Sequence, residues 1–129
     1  MRSTIAYIIL SLLFFSFTEQ IQQGPHKGVV EKAGNSYFIE FKYLNQEIHT
    51  YLLNKTYTCI SNKGISCEIK FIYSDSTSYT QSLQPIGNEG FSTGFITSQF
   101  NSCRIIFNIA GKTVSAKFEN QNPLVQKTN

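Results

Sequence analysis

Acidic and histidine side chains are scarce in this sequence, which limits the catalytic chemistry it can support. The 129 residues include a single aspartate, Asp75, in a turn-like segment, and only two histidines. The sequence has no G-x-S-x-G elbow, no His-Glu-x-x-His helix, no phosphate-binding loop and no glycine-rich dinucleotide motif. We therefore expect the protein not to be an enzyme.

Charge is sparse as well. Charged residues make up 15% of the chain, the formal net charge is +3, and the basic residues are scattered singly. A small, dispersed charge favours solubility, and it differs from the clustered basic patch of nucleic-acid-binding proteins. We expect no nucleic-acid partner.

Long apolar runs are missing after the first residues. Residues 5–17 form an uncharged run of 13 residues, which is shorter than the roughly 20 residues of a membrane-spanning helix. Arg2 before this run and the small residues Ser16 and Thr18 at its end are typical of a secretory signal peptide over residues 1–18. An uncleaved membrane anchor is the alternative. Cleavage predicts a periplasmic or secreted domain of 111 residues that has no membrane contact.

Cysteine is limited to Cys59, Cys67 and Cys103, and no C-x-x-C pair supports a zinc ribbon or a thioredoxin site. Export permits a disulfide, and the odd number leaves at least one thiol unpaired within the chain. Cys59 and Cys67 are a candidate pair that would close a short loop, whereas Cys67 with Cys103 would tie two strands. A fully reduced, buried set is the alternative. As thiolates these residues could bind copper(I), but their positions in predicted strands favour a disulfide or the core.

Helical periodicity is also absent after residue 18, and alternating apolar and polar residues take its place. The predicted strands cover residues 29–32, 36–43, 47–53, 67–73, 79–85, 91–100, 103–109 and 113–118. About eight short antiparallel strands, spaced by about 8–12 residues, are typical of a β-sandwich. We therefore predict an all-β protein: a single-domain immunoglobulin-like β-sandwich over residues 24–120, with a small β-barrel as the alternative. Residues 121–129 are expected to form a loose polar tail.

The segment from residue 36 to residue 53 predicts a hairpin that turns at Asn45-Gln46. A two-residue turn pairs Phe41 with Thr50 and places both on the buried face. Glu40 and His49 then fall on the opposite, solvated face.

Aromatic residues are plentiful, with 11 Phe and 7 Tyr. We expect Tyr51, Tyr57 and Tyr79 to face outwards. A surface tyrosine can anchor a protein partner, but it is also common on the solvated face of a strand.

Four segments together carry a family resemblance, and they read GPHKGVVEKAGNSYFIEF, HTYLLNK, NEGF and GKTVSAKFEN. They resemble a family of small exported bacterial proteins that open on a Gly-Pro-His-Gly-Gly-like segment. A similar opening occurs in the amino-terminal region of periplasmic adaptor subunits of heavy-metal efflux pumps. The resemblance covers residues 24–120. It implies export, a β-sandwich and a link to metal efflux, but no established activity.

Some residues match the family pattern and others depart from it. Gly24, Pro25, His26 and Gly28 match the opening, and Glu40 matches a glutamate in the following strand.

Three positions differ from that pattern. Lys27 stands where a second glycine is usual, Phe38 where a second histidine often lies, and Asn54 where aspartate is usual. The last two changes remove residues that could bind a metal.

His26 is the best single candidate for a metal ligand. Its imidazole could bind a borderline metal ion, with Glu31 or Glu40 as an oxygen donor. We therefore name His26, Glu40 and His49 as the candidate metal site, for weakly bound copper or zinc and no other cofactor. The alternative is that His26 is a loop residue hydrogen-bonded to the sheet and that His49 lies on a solvated face.

Two functional hypotheses follow. The first is an exported, non-catalytic binding module that is an accessory to periplasmic heavy-metal handling or efflux. Its partner would be a heavy-metal efflux component or another periplasmic protein. The second is a structural or protein-interaction β-sandwich with no metal role.

Overall fold

The computed structural model describes residues 23–97 and 99–120. The predicted signal peptide, residues 1–18, and the predicted polar tail, residues 121–129, lie outside these residues. Within the described residues, no helix is long and apolar enough to cross a membrane.

The described part of the chain contains nine β-strands. They are β1 Val29–Ala33, β2 Tyr37–Leu44, β3 Glu47–Leu53, β4 Ile65–Ile72, β5 Ser78–Ser82, β6 Gln84–Ile86, β7 Gly90–Phe95, β8 Ser102–Ile109 and β9 Lys112–Glu119. One sheet has the strand order β1-β2-β3-β7-β6, and the other has the order β5-β4-β8-β9. All pairings are antiparallel. The predicted all-β sandwich is therefore confirmed, and the two sheets do not close into the alternative barrel.

The core lies between the two sheets. Its largest fully buried apolar side chains are Phe41, Phe71, Phe100, Phe107, Ile39, Ile48, Leu52, Leu53, Ile69 and Ile105. Most of these residues occupy alternate positions along their strands, because successive side chains of a strand point to opposite faces. Alternation in the sequence therefore located the core correctly.

One predicted strand is in fact two strands. The segment 79–85 divides into β5 and β6, which belong to different sheets. Leu83 lies between them, is buried, and donates its backbone N–H to the carbonyl of Cys67. Pro85 lies in the short edge strand β6, a position that tolerates a residue without an N–H group.

The predicted strand 91–100 is also shorter than expected. Strand β7 ends at Phe95, and the register with β3 shifts near this end. Gly94 has a φ of 73°, a left-handed conformation that interrupts a regular strand.

The hairpin at Asn45-Gln46 forms as predicted. Phe41 pairs with Thr50, and both side chains are buried. Asn45 and Gln46 have φ values of 54° and 61°, and two consecutive positive φ values define the type I′ turn that suits a two-residue hairpin loop.

The outer face of this hairpin differs from the prediction at one residue. Glu40 was expected to be solvated, but it is 0% exposed. Residues 24–28, which we call the entry turn, fold over the outer face of β2 and cover the Glu40 carboxylate. The alternation of β2 was therefore correct, but it could not show that a second layer lies on this face.

Candidate functional site

The entry turn is a compact reversal of the chain that leads into β1. Lys27 donates its backbone N–H to the Gly24 carbonyl at 2.9 Å, and Gly24 donates to the Gly28 carbonyl at 3.1 Å. This pair of bonds encloses a three-residue loop in which Pro25 takes the first turn position, where its restricted φ is favourable. The third loop residue, Lys27, has a φ of 66°. The loop geometry places the imidazole of His26 over the sheet.

The carboxylate of Glu40 holds the entry turn in place. Its Oε2 accepts the backbone N–H groups of His26 at 2.9 Å and Gly28 at 2.8 Å. Its Oε1 lies 3.0 Å from Nδ1 of the His26 ring. Because an ionised carboxylate can only accept hydrogen bonds, the ring donates from Nδ1, and Nε2 is the nitrogen left for another partner. Both oxygens of the buried carboxylate are therefore used within the protein.

Two glycines allow the entry turn to lie this close to Glu40. A Cβ at Gly28 would come within 2.5 Å of the Phe41 carbonyl oxygen, and a Cβ at Gly24 would overlap the Glu40 carboxylate. The glycines at positions 24 and 28 thus have a steric explanation.

The His26 ring is held on its other sides by residues from β3 and the β6–β7 connection. It stacks on Tyr51 with ring centroids 3.6 Å apart and an angle of 5° between the planes. Its Nε2 lies 3.7 Å from the carboxylate of Glu89, whose side chain is 55% exposed. Burial, and then the negative charge of Glu40, raise the pKa of the Tyr51 hydroxyl. The ring is thus fixed between a buried and an exposed carboxylate.

Cys59 lies at the border of this cluster. Its thiol contacts the backbone carbonyl of Glu89 at 3.6 Å. Burial, and then the negative charge of Glu89, raise the pKa of Cys59 to about 12. The thiol is therefore neutral near pH 7, which makes Cys59 a poor nucleophile and a poor soft-metal ligand in this state.

The candidate Cys59–Cys67 disulfide is not formed in the structure, where Cys59, Cys67 and Cys103 are free thiols. Cys67 and Cys103 are buried on the core face of β4 and β8. Burial raises the pKa of Cys67, and it raises the pKa of Cys103 to about 12. These two thiols pack as small apolar residues of the core.

The three residues of the candidate metal site are not brought together. His26 and Glu40 are in contact, but Nε2 of His49 lies 3.0 Å from Glu47. In the hairpin register, His49 pairs with Lys42. The hydrogen bonds from Ser92 and then His49 lower the pKa of Glu47. Among residues 23–97 and 99–120, no group of three His, Cys, Asp or Glu side chains is arranged to hold a metal ion.

The departures from the family pattern have local structural roles. Lys27 takes a left-handed conformation, which glycine adopts with less strain. Phe38 packs on Tyr57, with ring centroids 4.6 Å apart. The Asn54 side chain accepts the backbone N–H groups of Thr56 at 2.9 Å and Thr58 at 3.0 Å, a role that an aspartate could also perform.

The contacts of His26 with Tyr51 and Glu89 were not anticipated from the sequence. Only the position of Tyr51 opposite Glu40 follows from the hairpin register. Glu89 comes from the connection between β6 and β7, and no local sequence signal places it beside His26.

Comparison with known proteins identified no relative: no family model, no curated protein and no solved structure matches this chain.

Proposed function

We propose that this protein is an exported, non-catalytic β-sandwich that binds another exported protein. One observation carries the proposal: two large apolar side chains are exposed on the outer face of the five-stranded sheet, one on each side of Glu47. Leu44 is 58% exposed and Phe95 is 69% exposed. Leu44 pairs with Glu47 on β3, and Glu47 pairs with Phe95 on β7. The three residues, which we call the Leu44–Phe95 row, therefore cross three adjacent strands.

The chemistry of the row fits a protein partner. Exposed phenylalanine and leucine side chains lose unfavourable contact with water when a partner covers them. The Glu47 carboxylate between them is fixed by Ser92 and His49, so it presents an oriented acceptor. A small apolar contact with one oriented polar group resembles the centre of a protein–protein interface.

The geometry around His26 favours this function over metal handling. Both oxygens of Glu40 are hydrogen-bonded to the entry turn. His49 is hydrogen-bonded to Glu47 and does not contact His26 through a shared ligand set. His26 then has a positioning role for the loop. This supports the second of the two sequence-based hypotheses.

Site-specific photo-crosslinking tests the proposed interaction. A benzophenone side chain replaces Phe95 in the full chain, which is expressed in its native cells and irradiated. We expect one defined protein adduct at this position, and we expect Leu44→Ser to reduce its yield. The control carries the same group at the exposed Lys63, in the connection between β3 and β4. Equal adduct patterns at positions 95 and 63 would contradict the proposal.

Metal binding is the second candidate, and one contact supports it. Nε2 of His26 lies 3.7 Å from a Glu89 oxygen, and the hydrogen bond from Nδ1 to Glu40 matches the way proteins orient a histidine ligand. A metal at this position would support a role beside a heavy-metal efflux component. Titration with zinc and copper, with His26→Ala as the control, tests this candidate. Binding no tighter than roughly millimolar would exclude it.

A further inference from the structure

The two sheets expose four edge strands, and three of them carry features that discourage pairing with another chain. Edge strands that lack charge or proline are templates for strand addition. Strand β1 carries the charged Glu31 and Lys32, β6 is three residues long and contains Pro85, and β9 carries Lys112, Lys117 and Glu119. Strands β1 and β9 also contact each other across the gap between the sheets.

Strand β5 is the exception. Its sequence, SYTQS, has no charged residue and no proline. In the described part of the chain it pairs with β4 on one side and with no strand on the other. Four of its five residues are exposed, and the side chain of Tyr79 is 57% exposed.

The hydrogen-bond pattern shows which backbone groups of β5 face the open edge. Leu83 donates its N–H to Cys67, and Tyr73 donates to Thr77. Hydrogen-bonded pairs alternate with non-hydrogen-bonded pairs along an antiparallel ladder. Tyr79 and Gln81, which lie between Thr77 and Leu83, therefore bond to β4. The N–H and C=O groups of Ser78, Thr80 and Ser82 point to solvent.

We propose that β5 pairs with β5 of a second copy of this chain, antiparallel and with Thr80 on the two-fold axis. Thr80 then faces Thr80 of the second copy, and Ser78 faces Ser82 of the second copy. These are the residues whose backbone groups point outwards, so the pairing forms about six new backbone hydrogen bonds. The two four-stranded sheets become one continuous sheet of eight strands.

The lack of charge on β5 favours a second copy of this chain as the partner at its open edge. A two-fold axis brings identical residues together, so a charged edge strand would place like charges opposite each other. Strand β5 avoids this cost because it has no charge. A cation, Lys70, lies opposite Thr80 on β4. The two copies of Lys70 would be about three strand spacings apart, roughly 14 Å, which exceeds the screening length of about 8 Å at physiological salt.

The interface is small, and we therefore expect a weak dimer. Five residues on each side bury less than a standard interface of about 1,600 Å². Each backbone hydrogen bond adds little net free energy, because it replaces a bond to water, and association has its own entropic cost. We expect a Kd of roughly 10–1000 μM.

Sedimentation equilibrium of the mature chain between about 10 μM and 1 mM is the first test. We expect a monomer–dimer equilibrium in the wild type, and monomers in Thr80→Lys and Thr80→Pro. Thr80→Pro removes an outward N–H and leaves the bonds to β4 in place. Thr113→Lys, on the exposed edge strand β9, is the matched control and should dimerise like the wild type. A monomeric wild type at the highest concentration, or a Thr80→Lys variant that dimerises normally, would overturn the proposal.

Amide NMR of the wild-type protein is a second test. It needs no substitution, so misfolding of a variant cannot affect its result. The amide signals of Ser78, Thr80 and Ser82 should shift with concentration, and the signals of Tyr79 and Gln81 should shift much less. Uniform shifts along β5 would contradict the register. Phe95→Ser should leave the dimer intact, since the Leu44–Phe95 row lies on a different sheet, and a dimer lost in this variant would assign self-association to the row instead.

Discussion

Replacing Glu40 with alanine should strongly destabilise the protein, because it removes the acceptor that holds the entry turn. The carboxylate is 0% exposed and accepts the backbone N–H groups of His26 and Gly28 and the Nδ1–H of His26. Hydrogen bonds to a charged acceptor contribute about 1.5–3 kcal/mol each. Since the freed turn can move and regain contacts with water, we expect a loss of about 3–5 kcal/mol.

Glu40→Gln separates hydrogen bonding from charge. The amide oxygen of glutamine can still accept the two backbone N–H groups that Oε2 receives, while the amide nitrogen faces Nδ1 of His26. The neutral ring can accept there by changing its tautomer. We expect this variant to lose about 1–2 kcal/mol. Glu47→Ala is the control, because it removes a partly exposed carboxylate that also pairs with a histidine. It should shift the unfolding midpoint far less than Glu40→Ala does.

Urea unfolding measures these differences. The chain contains no tryptophan, so far-UV circular dichroism and tyrosine fluorescence are the probes. With a slope of about 1–1.5 kcal/mol per M for a domain of this size, Glu40→Ala should lower the midpoint by roughly 2–5 M. If the free energy of unfolding of Glu40→Ala lies within about 1 kcal/mol of the wild-type value, the reasoning is refuted, because the entry turn would then not depend on this carboxylate.

Three further predictions follow from the same region. Lys27→Gly should stabilise the protein by about 0.5–1 kcal/mol, since Lys27 has a φ of 66°; Lys27→Ala, measured in the same urea titration, should be nearly neutral. Gly28→Ala should cost more than about 2 kcal/mol, because its Cβ would lie 2.5 Å from the Phe41 carbonyl oxygen, and a thermal melt of this variant close to the wild-type curve would contradict that contact. Cys59 should react with iodoacetamide at pH 8 roughly 30–100-fold more slowly than an unperturbed thiol, because its pKa is raised to about 12; peptide mapping by mass spectrometry measures this rate. The folded state favours the neutral Cys59 thiol, so this contribution to stability is complete below about pH 9 and is lost as the pH rises towards 12.

The sequence by itself determined the elements that depend on local chemistry. Alternating residues predicted β2 and β3, and Asn45-Gln46 predicted the turn and the pairing of Phe41 with Thr50. These features follow from the two-residue period of a strand and from the few residues that accept a positive φ. Ala110 and Gly111, which connect β8 and β9, also both have positive φ values, as a tight hairpin turn requires.

Only the tertiary structure decided which outer-face residues are covered and which side chains meet. Glu40 and His49 lie on the same face of one hairpin, yet Glu40 is fully buried and His49 is not. The difference arises because the entry turn, which precedes β1, folds over one of them. Likewise, the chain passes from one sheet to the other at Leu83, whose side chain is buried in the core. Such outcomes depend on contacts between residues far apart in the chain, and local alternation carries no information about them.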